Sequence, residues 1–168
     1  LARVGWRGVR AAPDAVVFER PGMAMTLNGI AQGYIADRVA ALMGRQGLTD
    51  ILVDTGEIRA LGGHPDGGAW RVKLDLPEGV PATEVALRAQ AMASSSPLGT
   101  VLDRDGRIGH ILHPTTGRPA EARWHLVSVT SPSAAVADAL STAFCLMPHA
   151  GIDATLPAFP EARLVYAA

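Results

Sequence analysis

The chain has 168 residues, of which 48% are hydrophobic and 18% charged, with a formal net charge of −1. The near-neutral charge excludes a nucleic-acid binder that works by bulk basic charge, and the single cysteine excludes an internal disulfide. No apolar run reaches the roughly 18 residues that a membrane-spanning helix needs, so we expect one folded domain over residues 1–168.

Short strands separated by Gly- and Pro-containing turns dominate the pattern. The predicted strands are residues 3–9, 15–19, 51–54, 58–61, 70–75, 85–93, 100–103, 107–112, 124–130 and 163–167. A turn at Pro13-Asp14 joins the first two, and residues 100–103 and 107–112 form a hairpin. Because several strands follow one another through turns, the strict β-α-β rhythm of a doubly wound fold is missing. The sequence therefore predicts an α+β fold.

The first of two helices is predicted over residues 30–46, and Asn28 is placed to cap its first turn. Its apolar stripe consists of Ala31, Ile35, Val39 and Leu42. The entry to this helix, residues 26–34, reads T-L-N-G-I-A-Q-G-Y. Gly29 lets the backbone approach a ligand closely, and the free N–H groups of a helix start attract an anion. The same residues also suit an ordinary capped turn.

The second helix is predicted over residues 133–147, with Ser131 as its N-cap, Pro132 just inside and Pro148 closing it. We expect one apolar stripe to face the core. It consists of Val136, Leu140, Phe144 and Met147.

A polar group of residues lies on another face of this second helix. Asp138 and Thr142 are four residues apart and project from the same face, with Ser141 beside them. A carboxylate with two hydroxyls can bind a hard cation such as Mg²⁺, which takes oxygen ligands. The alternative is an Asp138 that is either solvated or stabilised by the dipole of a helix start.

Histidines occur in G-H-I-L-H-P-T-T-G-R-P, residues 109–119. His110 and His113 are three apart on a predicted strand and point to opposite faces, so a shared metal ion is not expected. His110 suits a base near neutral pH, and the alternative is a ring satisfied by loop backbone. We expect Cys145 to be buried behind the second helix without a catalytic role.

Five motifs follow one another along the chain. They are residues 26–34, V-D-T-G-E-I-R-A-L-G (53–62), A-S-S-S (93–96), H-I-L-H-P-T-T-G-R-P (110–119) and S-V-T-S-P-S-A-A-V-A-D-A-L-S-T-A (128–143). In this order they resemble the ApbE family of bacterial FAD:protein FMN transferases, from about Val4 onward. The motif sequences are most similar to those of the members tied to nitrous-oxide reductase maturation (NosX type). The resemblance implies an ApbE-like, T-fold-like mixed-sheet domain with two main helices.

The resemblance also implies roles for individual residues. The implied Mg²⁺ ligands are the main-chain carbonyl of Gly29 and the side chains of Asp138, Ser141 and Thr142. The implied flavin-contacting residues are Thr26, Asn28, Gln32 and Leu112. The implied catalytic base is His110.

The implied reaction is Mg²⁺-dependent transfer of FMN from FAD to a Thr or Ser hydroxyl of an acceptor flavoprotein, with release of AMP. The implied partner is an FMN-binding-domain protein of the NosR-like kind, and the implied location is the periplasm or the cell envelope. Two alternatives remain open. One is an FAD-binding protein or slow FAD diphosphatase, and the other is a non-catalytic interaction module.

Departures from the family pattern favour the second alternative. Thr26 stands where Asp is usual, Gln32 where Lys or Glu is common, and His113 where the family has Asp. The family's N-L-G-G-D is shortened to D-T-G-E at residues 54–57. Family members carry an N-terminal segment that supplies part of the flavin pocket. Because this chain begins at Leu1, we expect that part of the fold to be missing and flavin binding to be compromised.

Overall fold

The structure is a computed structural model that describes residues 2–168. The helices are α1 (Ala31–Arg45), α2 (Ala134–Phe144) and α3 (His149–Thr155). The strands are β1 (Val9–Ala11), β2 (Val16–Phe18), β3 (Ile51–Asp54), β4 (Ile58–Leu61), β5 (Trp70–Lys73), β6 (Glu84–Leu87), β7 (Ala91–Ser95), β8 (Val127–Ser131) and β9 (Arg163–Ala167). Strands joined by turns are interrupted by helices, so the predicted α+β class is confirmed.

A five-stranded antiparallel sheet in the order β3-β4-β7-β8-β9 forms the centre of the molecule. Helix α1 contacts β3 and β4, and α2 contacts β7 and β8. Successive residues of a strand point to opposite faces. On β7, Ala93 therefore joins the cluster around Phe144 of α2, whereas Met92 joins the cluster of Leu74 and Leu87 near the β5–β6 ribbon. Helices cover one face of the sheet, and the ribbon covers the other.

Helices α1 and α2 pack against each other through small residues. A β-carbon at Gly33 would collide with the carbonyl oxygen of Ala134, which shows how closely the two backbones approach. The buried residues of α1 are Gly33, Ala36 and Ala40. Ile35 and Leu42, which belong to the predicted stripe, are 51% and 53% exposed. The predicted stripe is therefore wrong, because the contact with α2 admits only small side chains.

The start of each helix is capped by a carboxylate from the other. Asp138 of α2 accepts a hydrogen bond from the N–H of Gly33 at 3.0 Å. Asp37 of α1 accepts hydrogen bonds from the N–H groups of Ala134 at 2.9 Å and Ala135 at 3.1 Å. Each carboxylate accepts from N–H groups that have no partner within the helix they begin. Each carboxylate is also stabilised by the positive end of that helix dipole. These reciprocal bonds fix the position of α1 relative to α2.

Both predicted N-caps are wrong because of this arrangement. Asn28 makes no capping bond to α1, whose cap residue has no side-chain hydrogen bond. In α2 the N-cap is Ser133, whose hydroxyl accepts a hydrogen bond from the N–H of Val136, and Ser131 lies two residues earlier. Pro132 consequently precedes the cap and is not inside the helix.

Two matched glycine substitutions in α1 test the close helix contact. Gly33→Ala should destabilise the protein by about 2 kcal/mol or more, because the new β-carbon meets the backbone of α2. At Gly44 the β-carbon would meet only Cδ2 of Leu61, at 3.2 Å, which is the end of a flexible side chain. Gly44→Ala should therefore leave stability unchanged or raise it by up to about 1 kcal/mol. Urea unfolding measures both changes, and equal effects would contradict the proposed contact.

Three predicted strand regions are wrong in detail. Trp6–Gly8 forms a 3₁₀ turn within the predicted strand 3–9, and β1 begins only at Val9. The predicted hairpin over residues 100–112 reduces to a single bridge between Val101 and Gly109. There the Asp103 carboxylate accepts the N–H groups of Arg107 and Ile108, which takes away donors that a strand ladder would need. The predicted strand 85–93 is split between β6 and β7.

The predicted second helix also ends early. α2 stops at Phe144, and Pro148 is the N-cap of α3, a helix absent from the prediction. The residue before a proline disfavours helical geometry, so the chain breaks between α2 and α3. Cys145 is 2% exposed, which confirms its predicted burial. Within residues 2–168, no helix is both long enough and apolar enough to cross a bilayer.

Candidate active site

The start of α1 lies against the middle of α2. A β-carbon placed on Gly29 would lie 3.4 Å from Cγ2 and 3.7 Å from Oγ1 of Thr142. One turn further along α1, the N–H of Gly33 contacts Asp138, 105 residues away in the sequence. Gly29, Asp138 and Thr142, three of the four predicted Mg²⁺ ligands, therefore come together at the crossing of the two helices.

The end of β7 adds a third segment to this site. The hydroxyl of Ser95 lies 2.8 Å from Oγ of Ser141 and 3.2 Å from Oγ1 of Thr142. The Ser141 hydroxyl donates its single proton to the main-chain carbonyl of Asp138 at 3.0 Å, so it accepts from Ser95. Ser141 is completely buried in this network, whereas Thr142 is half-buried. Three hydroxyl groups thus line the site on the side of β7.

Asp138 is 4% exposed, so the alternative of a solvated side chain is wrong, whereas stabilisation by a helix dipole holds, at the start of α1. Burial raises the pKa of its carboxyl group, and the hydrogen bond from Gly33 opposes that shift. The Gly33 N–H contacts Oδ2, which leaves the second carboxylate oxygen available to another group. A buried carboxylate with an available oxygen is suited to a cation.

The turn between β3 and β4 contributes a second carboxyl group, which the sequence analysis did not select. Glu57 is 7% exposed. Burial, and next the charge of Asp138, raise the pKa of Glu57 to about 8, although the N–H of Ser94 opposes the shift. The charge on Asp138 therefore acts strongly on Glu57. The available signal was an acidic residue in a glycine-containing turn, D-T-G-E, which by itself does not indicate burial.

The group of donors suits a hard divalent cation. Mg²⁺ prefers oxygen ligands and keeps several waters. The oxygen-bearing side chains here are those of Asp138, Glu57 and Thr142, and the backbone of Gly29 lies against Thr142. Over the described part of the chain, no group of three or more His, Cys, Asp or Glu could hold a metal, so a cation here would also take hydroxyl, carbonyl or water oxygens. With these residues the site fits Mg²⁺ and does not fit a metal that needs nitrogen or sulfur ligands.

Three of the four predicted flavin-contacting residues lie at the entry to α1, and the fourth, Leu112, pairs with Pro119 in an isolated bridge. Thr26, Asn28 and Gln32 are exposed, and Thr26 Oγ1 accepts the N–H of Asn28 at 3.3 Å. A β-carbon on Gly56 would lie 3.3 Å from Nε2 of Gln32, so the Gln32 side chain lies beside the β3–β4 turn. Leu112 is 52% exposed. These side chains are accessible to a large ligand.

His110 lies in an exposed bend, with Nδ1 3.1 Å from the carbonyl oxygen of Thr100. Because a carbonyl can only accept, this bond places the proton on Nδ1 and leaves Nε2 free to accept another. The His110 ring is thus held by loop backbone through Nδ1, and its Nε2 remains able to act as a base. No hydrogen bond joins His110 to α1 or α2 within residues 2–168.

The fold and the site together define a class of protein. It is an α+β domain in which two helices with reciprocal caps cross on an antiparallel sheet and bring carboxyl and hydroxyl groups together at their crossing. The profile of the ApbE family matches residues 1–162. The chain belongs to the ApbE family.

Relatives in this family have similar sequences and folds. The FAD:protein FMN transferase of Treponema pallidum is 35% identical over 162 residues, which cover 89% of this chain and 45% of that protein. The FAD:protein FMN transferase of Escherichia coli (strain K12) is 30% identical over 132 residues, 76% of this chain and 38% of that protein. The chain therefore spans less than half the length of these curated relatives.

Two crystal structures resemble this structure over nearly its whole length. The ApbE protein of Thermotoga maritima has a TM-score of 0.82 at 28% identity, covering 96% of this chain and 54% of that one. The apo flavinyl transferase ApbE of Pseudomonas stutzeri has a TM-score of 0.78 at 31% identity, covering 94% and 50%. The predicted ApbE-like fold is confirmed.

Proposed function

We propose that this chain catalyses Mg²⁺-dependent transfer of FMN from FAD to a Thr or Ser hydroxyl of an acceptor flavoprotein, with release of AMP. The observation that carries the proposal is the meeting of Gly29, Asp138 and Thr142 at the helix crossing. The names of the relatives, FAD:protein FMN transferase, support transfer of FMN from FAD to a protein.

The reaction is a displacement at phosphorus. The acceptor hydroxyl oxygen forms a bond to the phosphorus of the FMN phosphate, the bond from that phosphorus to the bridging oxygen breaks, and AMP leaves with the bridging oxygen. Nε2 of His110 takes the hydroxyl proton, because the bond from Nδ1 to Thr100 fixes the ring in the tautomer that can accept it. Thr26, Asn28, Gln32 and Leu112 contact the flavin part of FAD.

Gly29, Asp138, Ser141 and Thr142 hold the cation in this proposal. When bound, Mg²⁺ supplies positive charge that neutralises the diphosphate of FAD and the negative charge that develops on it. Asp138 binds through the carboxylate oxygen that does not accept from Gly33, so one side chain can both cap α1 and bind the cation. Ser95 holds the hydroxyls of Ser141 and Thr142 in place.

The acceptor and the location belong to the same proposal. The acceptor is an FMN-binding-domain protein of the NosR-like kind, and transfer takes place in the periplasm or at the cell envelope. Cell fractionation of the native host, with detection of this chain and of covalent flavin in each fraction, tests the location. Recovery of both in the cytoplasm alone would contradict it.

Transfer is tested by incubating the chain with FAD, Mg²⁺ and an acceptor domain, with and without EDTA. Mass spectrometry of the acceptor should show addition of FMN, and chromatography should show an equal amount of AMP. Free FMN and AMP formed without an acceptor would identify an FAD diphosphatase instead. If a folded chain shows no binding of FAD in a fluorescence titration, the interaction-module alternative is correct and the proposal fails.

Substitution of His110 tests the proposed base. His110→Ala should lower the rate of FMN transfer by roughly 10²- to 10⁴-fold, the usual contribution of a positioned general base. Cation affinity should not change, because no hydrogen bond joins His110 to α1 or α2 within the described residues. His113→Ala is the matched control, since His113 lies in the same loop and its ring contacts Thr115. Equal rates for both variants and the wild type would contradict the assignment.

A further inference from the structure

Glu57 is an unusual buried residue because part of its carboxyl group has no partner. Within residues 2–168, the buried side-chain atoms without a hydrogen-bond partner are Oε2 of Glu57 and Nε1 of Trp70. An unpartnered polar atom that is buried costs about 1–3 kcal/mol, and more if it is charged. Such an atom in a folded protein calls for a compensating group, such as a bound ion.

Among residues 2–168, no positively charged side chain is found to act on Glu57. Arg59 lies on the same strand, but its guanidinium pairs with Asp37 at 3.2 Å and donates to the carbonyl of Ala60. The charged groups that act on Glu57 are carboxylates, Asp138 from α2 and Asp54 from β3. Glu57 and Asp138 are therefore two buried carboxyl groups close enough for the charge of one to act on the other.

The turn that carries Glu57 is fixed against the candidate site. Gly56 lies beside the side chain of Gln32 at the start of α1, and a β-carbon at Gly56 would lie 3.3 Å from Nε2 of Gln32. Ile58, the next residue after Glu57, pairs with Met92 of β7, the strand that also carries Ser95. Glu57 thus lies near the start of α1 and beside β7, where the backbone N–H of Ser94, the neighbour of Ser95, contacts its carboxyl group.

We propose that Glu57 is a further ligand of the divalent cation, and that the site holds the ion between the carboxylates of Glu57 and Asp138. This inference rests on the proposed function, because it takes the cation to bind at the helix crossing. Two carboxylates neutralise one divalent cation, so the site should bind the cation before FAD arrives. With Asp138 as its single carboxylate, the site would depend on the diphosphate for much of its affinity, because ligand charge sets the affinity of such sites.

The test is a titration of the full chain with Mn²⁺ alone, without FAD, followed by the electron paramagnetic resonance signal of free Mn²⁺. Glu57→Gln keeps the shape of the side chain and removes its charge, and it should weaken Mn²⁺ binding roughly 10- to 100-fold. Glu57→Asp keeps the charge and should give an affinity between those of Glu57→Gln and the wild type. Glu84→Gln is the matched control, because Glu84 is exposed and pairs with Arg71, and its affinity should equal that of the wild type.

Circular dichroism and thermal unfolding without metal show whether each variant is folded. Addition of Mn²⁺ should raise the melting temperature of the wild type more than that of Glu57→Gln. If Glu57→Gln binds Mn²⁺ as tightly as the wild type while Asp138→Asn does not bind it, Glu57 is not a ligand and the proposed function still stands. If the folded wild type does not bind Mn²⁺ and FMN transfer does not require a divalent cation, the cation site itself is wrong. Both the proposed mechanism and this inference then fail.

Discussion

Asp138→Asn should abolish detectable binding of Mn²⁺ and lower the rate of FMN transfer by on the order of 10³-fold, the upper part of the range for a group that stabilises developing charge. The effect should reach or exceed the loss expected for His110→Ala, since electrostatic stabilisation is usually the largest single term in catalysis. Asparagine keeps a side-chain oxygen that can accept the hydrogen bond from the Gly33 N–H. The cap of α1 is therefore retained while the negative charge at position 138 is lost. The measurements are the Mn²⁺ titration and mass spectrometry of the flavinylated acceptor.

The control for this variant is Asp37→Asn, the other half of the reciprocal capping. Asp37 accepts a hydrogen bond from the start of α2, just as Asp138 accepts one from the start of α1. Unlike Asp138, Asp37 forms an ion pair with Arg59 and lies outside the proposed cation site. Loss of this partly buried ion pair should lower stability and leave Mn²⁺ affinity unchanged. If both asparagine variants lose transfer and stability equally, Asp138 acts only by holding the helices together, and its role as a ligand is wrong.

The sequence predicts the components of this site that have a regular spacing. Asp138 and Thr142 are four residues apart on a helix, and that spacing alone places them on one face. Gly29 occurs at a recognisable helix entry. For such residues local geometry is sufficient, so the positions of α1, α2 and most strands of the central sheet follow from the printed sequence.

Residues whose environment depends on tertiary packing escape that analysis. Glu57 lies in a turn with no periodic pattern, and it becomes buried only when β4 pairs with β7 and the two helices cover the sheet. Asp37 and Asp138 cap helices that are about a hundred residues distant in the sequence, so no local capping motif reveals them. Ile35 looks like a core residue by helical spacing, yet the small-residue contact between α1 and α2 turns it to the surface. In each case the deciding contact joins segments far apart in the chain.

The same buried carboxyl groups should make the metal-free protein less stable as the pH rises. The pKa of Glu57 is raised from its ordinary value of 4.5 to about 8 in the folded state. Between these two values the unfolded chain binds fewer protons than the folded one, so the free energy of unfolding falls with increasing pH. The loss contributed by Glu57 between pH 5 and pH 8 should be on the order of 4 kcal/mol. The raised pKa of Asp138 adds a change of the same sign.

Urea unfolding in EDTA at intervals between pH 5 and pH 8 measures this dependence. Glu57→Gln cannot ionise at this position, so its stability should fall much less than that of the wild type over the same interval. Glu84→Gln, the same substitution at an exposed position, should keep the slope of the wild type, which separates the effect of Glu57 from that of titrating histidines. Saturating Mg²⁺ should also reduce the slope, because a bound cation favours the ionised carboxylates and so lowers their pKa values. A Glu57→Gln variant with the wild-type slope would show that Glu57 does not remain protonated in the folded state.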